Sequence, residues 1–467
     1  MSRIAGWFLL LVVGVPSACC AQSERYELGK RLRRFEIAWQ TADAEARQAS
    51  TTAMQRAVQS FFGLQLSTAA RHLDEAQYAV TAASPSDFER KAIALRLDVK
   101  PILLEAGSTE ATMRLRPFYK LPPIAAPSAQ SPAADQATAD KGELPAETRV
   151  QVRILDSAGV NHMTLELAWS EASQGTAFQL KSIPVGDHWL ETSLSSPSET
   201  VSLPAVQLSV VDDLSGRLTR LEAELDALPP TAELTAAMKT LRATARQTTR
   251  TLRAMADGRP QETDFPAASW LELAEKLLAE PEAAATSLQQ AARESTWMVL
   301  SNGRSSLPVR VHMPGVQAEK AKPEGQPILF AFHGAGGSEN MFFETYGAGR
   351  LIELASQRGW IVVAPRHPLL GMPFDYREMI ELLKPFFPID EQRVFLVGHS
   401  MGAGEVVRQL SGDLEAPQAA VAIGGGGRSV DNAATRQTPW LIAAGELDFG
   451  RSGARGLAKR LESVGAS

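Results

Sequence analysis

The sequence has almost no cysteine. Its 467 residues include only two, Cys19 and Cys20, and both lie close to the N-terminus. Small domains held together by disulfides are therefore excluded, because the remainder of the chain has no thiol to oxidise. Positive charge is not in excess either: the net charge is −6, whereas a nucleic-acid-binding chain normally presents a basic surface. We therefore expect no nucleic-acid partner and a fold that rests on the packing of apolar side chains.

The N-terminal apolar run is too short to cross a membrane. Residues 4–15 are mostly apolar and follow Arg3. A spanning helix needs roughly 20 such residues, whereas a signal peptide needs about 7–15 followed by small residues. The sequence predicts a signal peptide over residues 1–21, cleaved after Ala21, and hence a secreted or periplasmic protein. A lipid anchor on Cys19 or Cys20, with the membrane as a partner, is the alternative.

Spacings typical of metal and phosphate sites are missing. The sequence has no His-x-Glu, no Cys-x-x-Cys and no acidic calcium-loop pattern. The glycine run at residues 424–427 lacks the Lys-Ser/Thr that completes a phosphate-binding loop. We therefore expect no cofactor and no metal, and we interpret the glycine run as a turn after a strand.

Hydrophobic periodicity divides the rest of the chain. Apolar residues at helical spacing predict a helical domain over residues 22–91. Alternating apolar residues predict a β-sandwich-like accessory domain over 92–211, interrupted by a flexible loop over 122–145 that is rich in Ala, Pro and Ser. Leucine seams on either side of two prolines predict a helical hairpin and linker over 212–294. Residues 295–467 form the last predicted domain.

Strands and helices alternate in that last domain. Parallel strands need such helical crossovers, and ligands collect beyond the carboxyl ends of the strands. The sequence therefore predicts an α/β fold with a mostly parallel sheet. The predicted strands lie near residues 309–313, 327–332, 360–364, 393–398, 419–423 and 439–444.

A serine lies between one of these strands and the helix that follows it. The apolar strand run leads directly into Gly398-His399-Ser400-Met401-Gly402. A Gly-x-Ser-x-Gly turn in this context is typical of a nucleophile elbow, which exposes the serine hydroxyl beside a helix N-terminus. Side chains larger than glycine at 398 and 402 should collide with the neighbouring strand and helix.

Two other strand ends carry residues that suit the same chemistry. The strand at 327–332 ends in a glycine-rich loop that includes Ala335 and Gly336, and backbone N–H groups of such a loop can hold an oxyanion. The strand at 439–444 is followed by Glu446 and Asp448. The chain order is therefore glycine-rich loop, serine, acid.

These motifs resemble the α/β-hydrolase superfamily, and within it secreted esterases of the feruloyl-esterase, polyhydroxybutyrate-depolymerase and dienelactone-hydrolase types. The resemblance runs from about residue 295 to the end of the chain. It implies that Ser400 is the nucleophile, that Asp448 is the triad acid, and that Met401 and Ala335, or Gly336, donate the N–H groups of the oxyanion hole. The implied activity is hydrolysis of a small-molecule or polymer-linked ester.

The triad histidine is the departure from the family pattern. The family places this base after the acid, but no histidine follows Asp448. Because a serine hydroxyl is a poor nucleophile without a base, we expect that the sequence is truncated before this histidine and before the last strand, and that the chain is nearly inactive. Recruitment of His367, which follows the strand at 360–364 and is predicted on the pocket rim, is the alternative.

Three functions are compatible with this sequence. An exported carboxylic-ester hydrolase is the leading one, because the segment between residues 424 and 438 is too short for a helical lid. A serine peptidase of the same fold would use the same triad. A non-catalytic binding protein on the same scaffold is favoured by the missing histidine. The identity of the ester is not encoded in any motif.

Overall fold

The computed structural model describes residues 18–107, 111–121, 144–178, 183–259, 261–315, 325–368, 371–412, 415–428 and 431–466. These residues form two compact units. The first comprises Met1–Ser215 and Leu252–Ala268, and the second comprises Gly216–Thr251 and Ser269–Ser467. The division differs from the predicted boundaries at 212 and 295, because most of the predicted helical hairpin belongs to the second unit.

Two predicted features lie mainly outside the described residues. Residues 1–17 of the predicted signal peptide are among them, and the first helix, α1 (Ala18–Thr41), runs across the predicted cleavage position. Nearly all of the predicted loop at 122–145 is also outside. Among the helices that are described, none has both the length and the apolar character needed to span a bilayer.

The first unit begins with a layer of helices. After α1 come α2 (Ala44–Phe62), α3 (Leu66–Val80) and α4 (Asp87–Ile93). Asp43 caps α2 by accepting a hydrogen bond from the N–H of Ala46, and Ser86 caps α4 in the same way through Glu89. Inside this layer, the buried Arg31 pairs with Asp74 at 3.0 Å.

Two sheets follow the helices in the first unit. The elements are β1 (Leu95–Lys100), β2 (Leu103–Glu105), β3 (Ala111–Pro117), β4 (Arg149–Asp156), β5 (Asn161–Ala168), α5 (Trp169–Gln174), β6 (Thr176–Phe178), β7 (Gly186–Ser195) and β8 (Thr200–Val211). A three-stranded sheet has the order β1-β3-β6 and a five-stranded sheet has the order β2-β8-β7-β4-β5. Buried residues of both sheets, such as Met113 and Leu190, belong to one hydrophobic core.

A seven-stranded sheet organises the second unit. The strands are β9 (Thr296–Ser301), β10 (Ser306–His312), β11 (Gln326–Phe332), β12 (Ile361–Pro365), β13 (Ile389–His399), β14 (Ala419–Ile423) and β15 (Trp440–Ala443). Their order is β15-β14-β13-β11-β12-β10-β9; strands β11 to β15 are parallel to one another, whereas β10 is antiparallel to β12 and β9. All six predicted strands are present. β9, which is buried along its whole length like β11 and β12, was not among the predicted strands.

Helices cover both faces of this sheet. Neighbouring residues of β11 point to opposite faces: Phe330 packs in one core with Leu288 and Leu383, and Leu329 packs in another with Ala355. The helices that follow β8 along the chain are α6 (Leu214–Ala227), α7 (Ala236–Ala256), α8 (Ala267–Ala279), α9 (Ala284–Ala292), α10 (Met341–Glu344), α11 (Arg350–Gln357), α12 (Tyr376–Leu383), α13 (Met401–Gln409), α14 (Ala433–Gln437) and α15 (Arg451–Ser463).

The two edges of the sheet differ. At the β9 edge, the hydroxyls of Thr240 and Thr244 on α7 accept hydrogen bonds from the N–H groups of Ser301 and Val299, so this edge is covered. At the β15 edge, the side chain of Leu441 is 61% exposed, and no described strand pairs with the outer side of β15. The second unit therefore has one closed and one open sheet edge.

Candidate active site

Ser400 occupies a sharp turn between β13 and α13. Its backbone angles are φ 54° and ψ −114°, a conformation that residues with a side chain rarely adopt. The turn is held by a hydrogen bond from the N–H of Ser400 to the carbonyl of Ile423, at 2.8 Å. The side chain is partly exposed, and its hydroxyl forms no hydrogen bond with any described residue. The strained turn thus presents a free hydroxyl at the carboxyl end of the sheet.

The glycines on either side of the serine are required by close backbone contacts. A β-carbon placed on Gly398 would lie 2.0 Å from the carbonyl oxygen of Gly402, in α13. A β-carbon placed on Gly402 would lie 2.0 Å from the carbonyl oxygen of Phe332, in β11. No side chain fits at these distances, as the sequence pattern predicted. Helix α13 can therefore approach β11 and β13 closely, which brings its N-terminus to Ser400.

The glycine-rich loop after β11 lies beside Ser400. The N–H of Gly337 donates to the carbonyl of Gly334 at 3.1 Å, so residues 334–337 form a tight turn. Its central residues, Ala335 and Gly336, are exposed, and Gly336 has φ +77°. A β-carbon placed on Gly334 would lie 3.2 Å from the β-carbon of Ser400. The structure thus brings the predicted oxyanion loop next to the predicted nucleophile.

Met401 supplies the second predicted oxyanion donor. It is the first residue of α13, and the N–H groups of a first helical turn have no partner inside the helix. The helix dipole also favours negative charge at this end. Backbone N–H groups of two separate elements, the first turn of α13 and the glycine-rich loop, therefore lie near Ser400.

Asp448 follows β15 and reaches back toward His399. Its Oδ1 accepts a hydrogen bond from the N–H of Gly450 at 2.7 Å. A β-carbon placed on Gly424 would lie 2.6 Å from Oδ2 of Asp448 and 3.5 Å from Nε2 of His399. Burial lowers the pKa of His399 below its usual value, although the Asp448 carboxylate acts in the opposite direction. The acid thus lies at the same carboxyl end of the sheet as Ser400, and burial favours the neutral form of His399.

His333 is a structural residue of the loop. Its Nε2 accepts a hydrogen bond from the backbone N–H of His367 at 2.8 Å. Because Nε2 accepts, Nδ1 carries the proton and donates it to the carbonyl of Gly334, also at 2.8 Å. Both ring nitrogens are therefore used, and His333 is not available as a general base.

His367 does not lie on an open rim, where the sequence placed it. Only 8% of the residue is exposed, and its Nε2 is hydrogen-bonded to the buried Glu405 of α13 at 2.8 Å. Arg408 and Gln409 also donate to Glu405. Burial alone would raise the pKa of Glu405, but the hydrogen bonds from His367, Arg408 and Gln409 outweigh it and hold the pKa below its usual value. His367 is thus buried together with its hydrogen-bond partner Glu405.

Acid should destabilise the second unit through Glu405. Its pKa is lower in the folded chain than the value of about 4.3 expected in an unfolded one. The charged form therefore stabilises the fold above about pH 4.3, and this contribution is lost as the pH falls toward the lower folded pKa. Thermal unfolding of the wild type and Glu405→Gln, measured from pH 7 to pH 3, should show a smaller acid-induced fall in Tm for the variant. Parallel Tm profiles would contradict this assignment.

Comparisons with known proteins find a family match within the second unit and similar solved structures. Residues 328–464 match the sequence model of the Alpha/beta hydrolase family. No curated protein matches the chain. Similar solved structures include a thermostable esterase (18% identity, TM-score 0.31, 38% of this chain and 54% of that one) and the feruloyl esterase module from Clostridium thermocellum (15% identity, TM-score 0.31, 36% and 72%). Another is the S-formylglutathione hydrolase from Staphylococcus aureus (17% identity, TM-score 0.24, 37% and 70%).

The extent of these matches is limited. The chain spans about half the length of the thermostable esterase. At these identities and TM-scores, structural likeness does not identify an activity. What the family match does establish is the α/β-hydrolase domain itself, which covers Ser400 and Asp448.

Proposed function

Since residues 328–464 form an α/β-hydrolase domain, we propose that this protein is a serine hydrolase that cleaves carboxylic esters. The observation that carries the proposal is the geometry of Ser400, whose free hydroxyl stands on a strained turn between a glycine-rich loop and a helix N-terminus. Backbone strain at Ser400 lowers the stability of the fold, and such strain is typical of residues that have a functional role.

The proposed reaction is acyl transfer to water. The hydroxyl oxygen of Ser400 attacks the ester carbonyl, and the N–H groups of Met401 and Ala335, or Gly336, stabilise the oxyanion. The alcohol leaves, and water then cleaves the acyl-serine bond. Asp448 orients the histidine that takes the serine proton and returns it to the leaving group. The reaction requires no cofactor.

The base in this proposal is a histidine outside the 467 residues. Among the described histidines near the site, His333 has both ring nitrogens engaged, and His367 is bonded to Glu405. His399 directly precedes Ser400 in the turn with its Nε2 toward Asp448, and the resemblance gives this motif position a structural role. We propose that the histidine lies on a segment that pairs with the open edge of β15. The exposure of Leu441, Leu447 and Phe449 supports this, because large apolar side chains next to an unpaired strand edge favour a covering segment.

Export is a second, independent part of the proposal. Residues 1–21 have the composition of a cleaved signal peptide. We propose that the mature protein begins after Ala21 and acts outside the cytoplasm, with a lipid anchor at Cys19 or Cys20 as the alternative. Mass spectrometry of the N-terminus of the exported protein distinguishes the two, because acylation adds the mass of the lipid to a retained cysteine.

Added imidazole should replace the missing base. We expect the 467-residue chain to cleave 4-nitrophenyl acetate and butyrate slowly, and we expect millimolar imidazole to accelerate this reaction at least about tenfold in a saturable way, since a general base contributes roughly 10²–10⁴-fold. The measurement is release of 4-nitrophenol at pH 7.5, corrected for the reaction of imidazole alone.

The same assay distinguishes the other functions. Matched peptide 4-nitroanilides test for a peptidase, and cleavage of these amides without ester cleavage would replace the esterase proposal by a serine peptidase. Tight binding of esters with no turnover, with or without imidazole, would favour a non-catalytic binding protein on the same scaffold.

A further inference from the structure

The glycine-rich loop cannot hold its own position. Residues 334, 336 and 337 are glycines, so this part of the loop has almost no side chain with which to pack. Oxyanion donors must nevertheless be placed to within a fraction of an ångström of the developing charge. The order of the loop must therefore come from the residues that flank it.

Three consecutive polar residues at the end of the loop are buried. Ser338, Glu339 and Asn340 are each less than one-tenth exposed. Buried polar groups need partners. Glu339 has them in Arg366, which follows β12 and makes two hydrogen bonds to it, at 2.6 and 2.9 Å. Asn340 has them in one residue of the edge strand β9 and one of its neighbour β10.

Arg310 of β10 and Trp297 of β9 hold Asn340. The Oδ1 of Asn340 accepts a hydrogen bond from the indole N–H of Trp297 at 2.9 Å and another from the guanidinium of Arg310 at 3.1 Å. The same guanidinium donates to Glu344 of α10 at 2.5 Å and to Ser295 at 3.0 Å. Arg310 thus ties β10 to the segment that leaves the loop, and Trp297 of the neighbouring edge strand β9 binds the same Asn340.

Stacking fixes the orientation of the Arg310 guanidinium. The group lies 4.2 Å from the ring centre of Trp297 and 4.5 Å from that of Phe343, and only 9% of the residue is exposed. Its planar fork, with donors in fixed directions, suits this sandwich in a way that a lysine ammonium does not. The cluster therefore has one arrangement rather than several.

We propose that Arg310 is a positioning residue for the oxyanion loop. It acts through Asn340 and Glu344, which fix the exit of the loop beside Ser400, and it makes no contact with substrate. The inference rests on the proposed function, because it assigns a role to the loop in oxyanion binding. A purely stabilising role explains the cluster less well, since apolar residues of similar volume often replace buried ion pairs without loss of stability.

The test compares three variants. Arg310→Met keeps the length of the side chain but removes the guanidinium, and Arg310→Lys keeps the charge without the planar fork. Arg393→Met is the matched control, because Arg393 pairs with Asp390 and donates to Gly325 at the amino-terminal end of β13, about 23 Å along the strand from Ser400.

In the presence of imidazole, we expect Arg310→Met to lower kcat for 4-nitrophenyl esters roughly 10- to 100-fold with KM changed less than twofold. The kcat of Arg310→Lys should lie between that of Arg310→Met and that of the wild type. Arg393→Met should lower Tm by a similar amount and leave kcat within twofold. Equal kcat losses in Arg310→Met and Arg393→Met would overturn the proposal, because the effect would then follow stability alone.

Amide hydrogen exchange tests the same claim without turnover. Mass spectrometry of peptides that cover residues 334–341 should show at least about tenfold faster exchange in Arg310→Met, while exchange in the β13 core stays at the wild-type rate. An unchanged exchange rate in this loop would overturn the proposal. The proposed function fails by a different result, which is retention of ester cleavage by Ser400→Ala.

Discussion

Replacing Ser400 with alanine is expected to abolish ester hydrolysis. When the base is supplied by imidazole or by a longer chain, the loss in kcat should be at least about 10³-fold, because the variant has no oxygen to form the acyl-enzyme and retains only binding and the oxyanion donors. The alanine side chain would be under the same backbone strain as the serine, so Tm should change little. The measurement is the rate of 4-nitrophenyl butyrate hydrolysis together with a thermal melt.

Two further variants control this prediction. Ser411→Ala alters another serine, two residues beyond the end of α13, whose hydroxyl donates to the carbonyl of Val407. This variant should leave the rate within twofold of wild type. Ser400→Gly should be inactive yet more stable by about 1–2 kcal/mol, because glycine adopts φ 54° without strain. Undiminished hydrolysis by Ser400→Ala would exclude Ser400 as the nucleophile.

Replacing Gly402 with alanine is expected to prevent the second unit from folding correctly. The new β-carbon would lie 2.0 Å from the carbonyl oxygen of Phe332 and 2.9 Å from that of His333. Both are backbone atoms of a central strand and its exit, so neither can move without breaking the sheet. Overpacking in a core costs about 1–3 kcal/mol where the neighbouring side chains can shift. Here the neighbours are backbone carbonyls, which cannot shift in the same way. We expect loss of at least about 4 kcal/mol, seen as a lower Tm or as aggregation.

Gly456 provides the matched control for this change. It lies in α15 of the same unit, and a β-carbon there would meet only the end of the flexible Arg460 side chain, at 3.3 Å. Gly456→Ala should therefore be neutral or stabilising, by up to about 1 kcal/mol, because alanine favours the helix. If Gly402→Ala folded with the Tm of the wild type, the close approach of α13 to β11 would be refuted.

Local patterns explain why the elbow could be predicted. The strand, the turn and the helix around Ser400 are contiguous in sequence, and the requirement for Gly398 and Gly402 follows from the shape of the turn alone. Six strands of the sheet could be predicted for the same reason, since each has a short apolar run. β9 (Thr296–Ser301) was not predicted, although residues 297–300 are an apolar run of the same kind.

Interactions between distant residues explain what the sequence did not show. His367 was placed on the rim because it follows a strand, but its partner Glu405 is 38 residues away, and no local pattern links the two. Arg310 and Asn340 are 30 residues apart in sequence, and they meet only because the strand order places β10 near the end of the glycine-rich loop. The apolar seams of α6 and α7 likewise do not specify which surface each helix covers.

The measurement that tests the central claim most directly is active-site labelling with a fluorophosphonate. Trypsin cleaves after Arg393 and Arg408, and the peptide 394–408 contains Ser400 as its only hydroxyl-bearing residue. In the presence of imidazole, we predict that mass spectrometry finds a single phosphonyl adduct per chain, carried by this peptide and absent from Ser400→Ala. An adduct on any other peptide, or an unlabelled 394–408 peptide in a protein that still cleaves esters, would contradict the account.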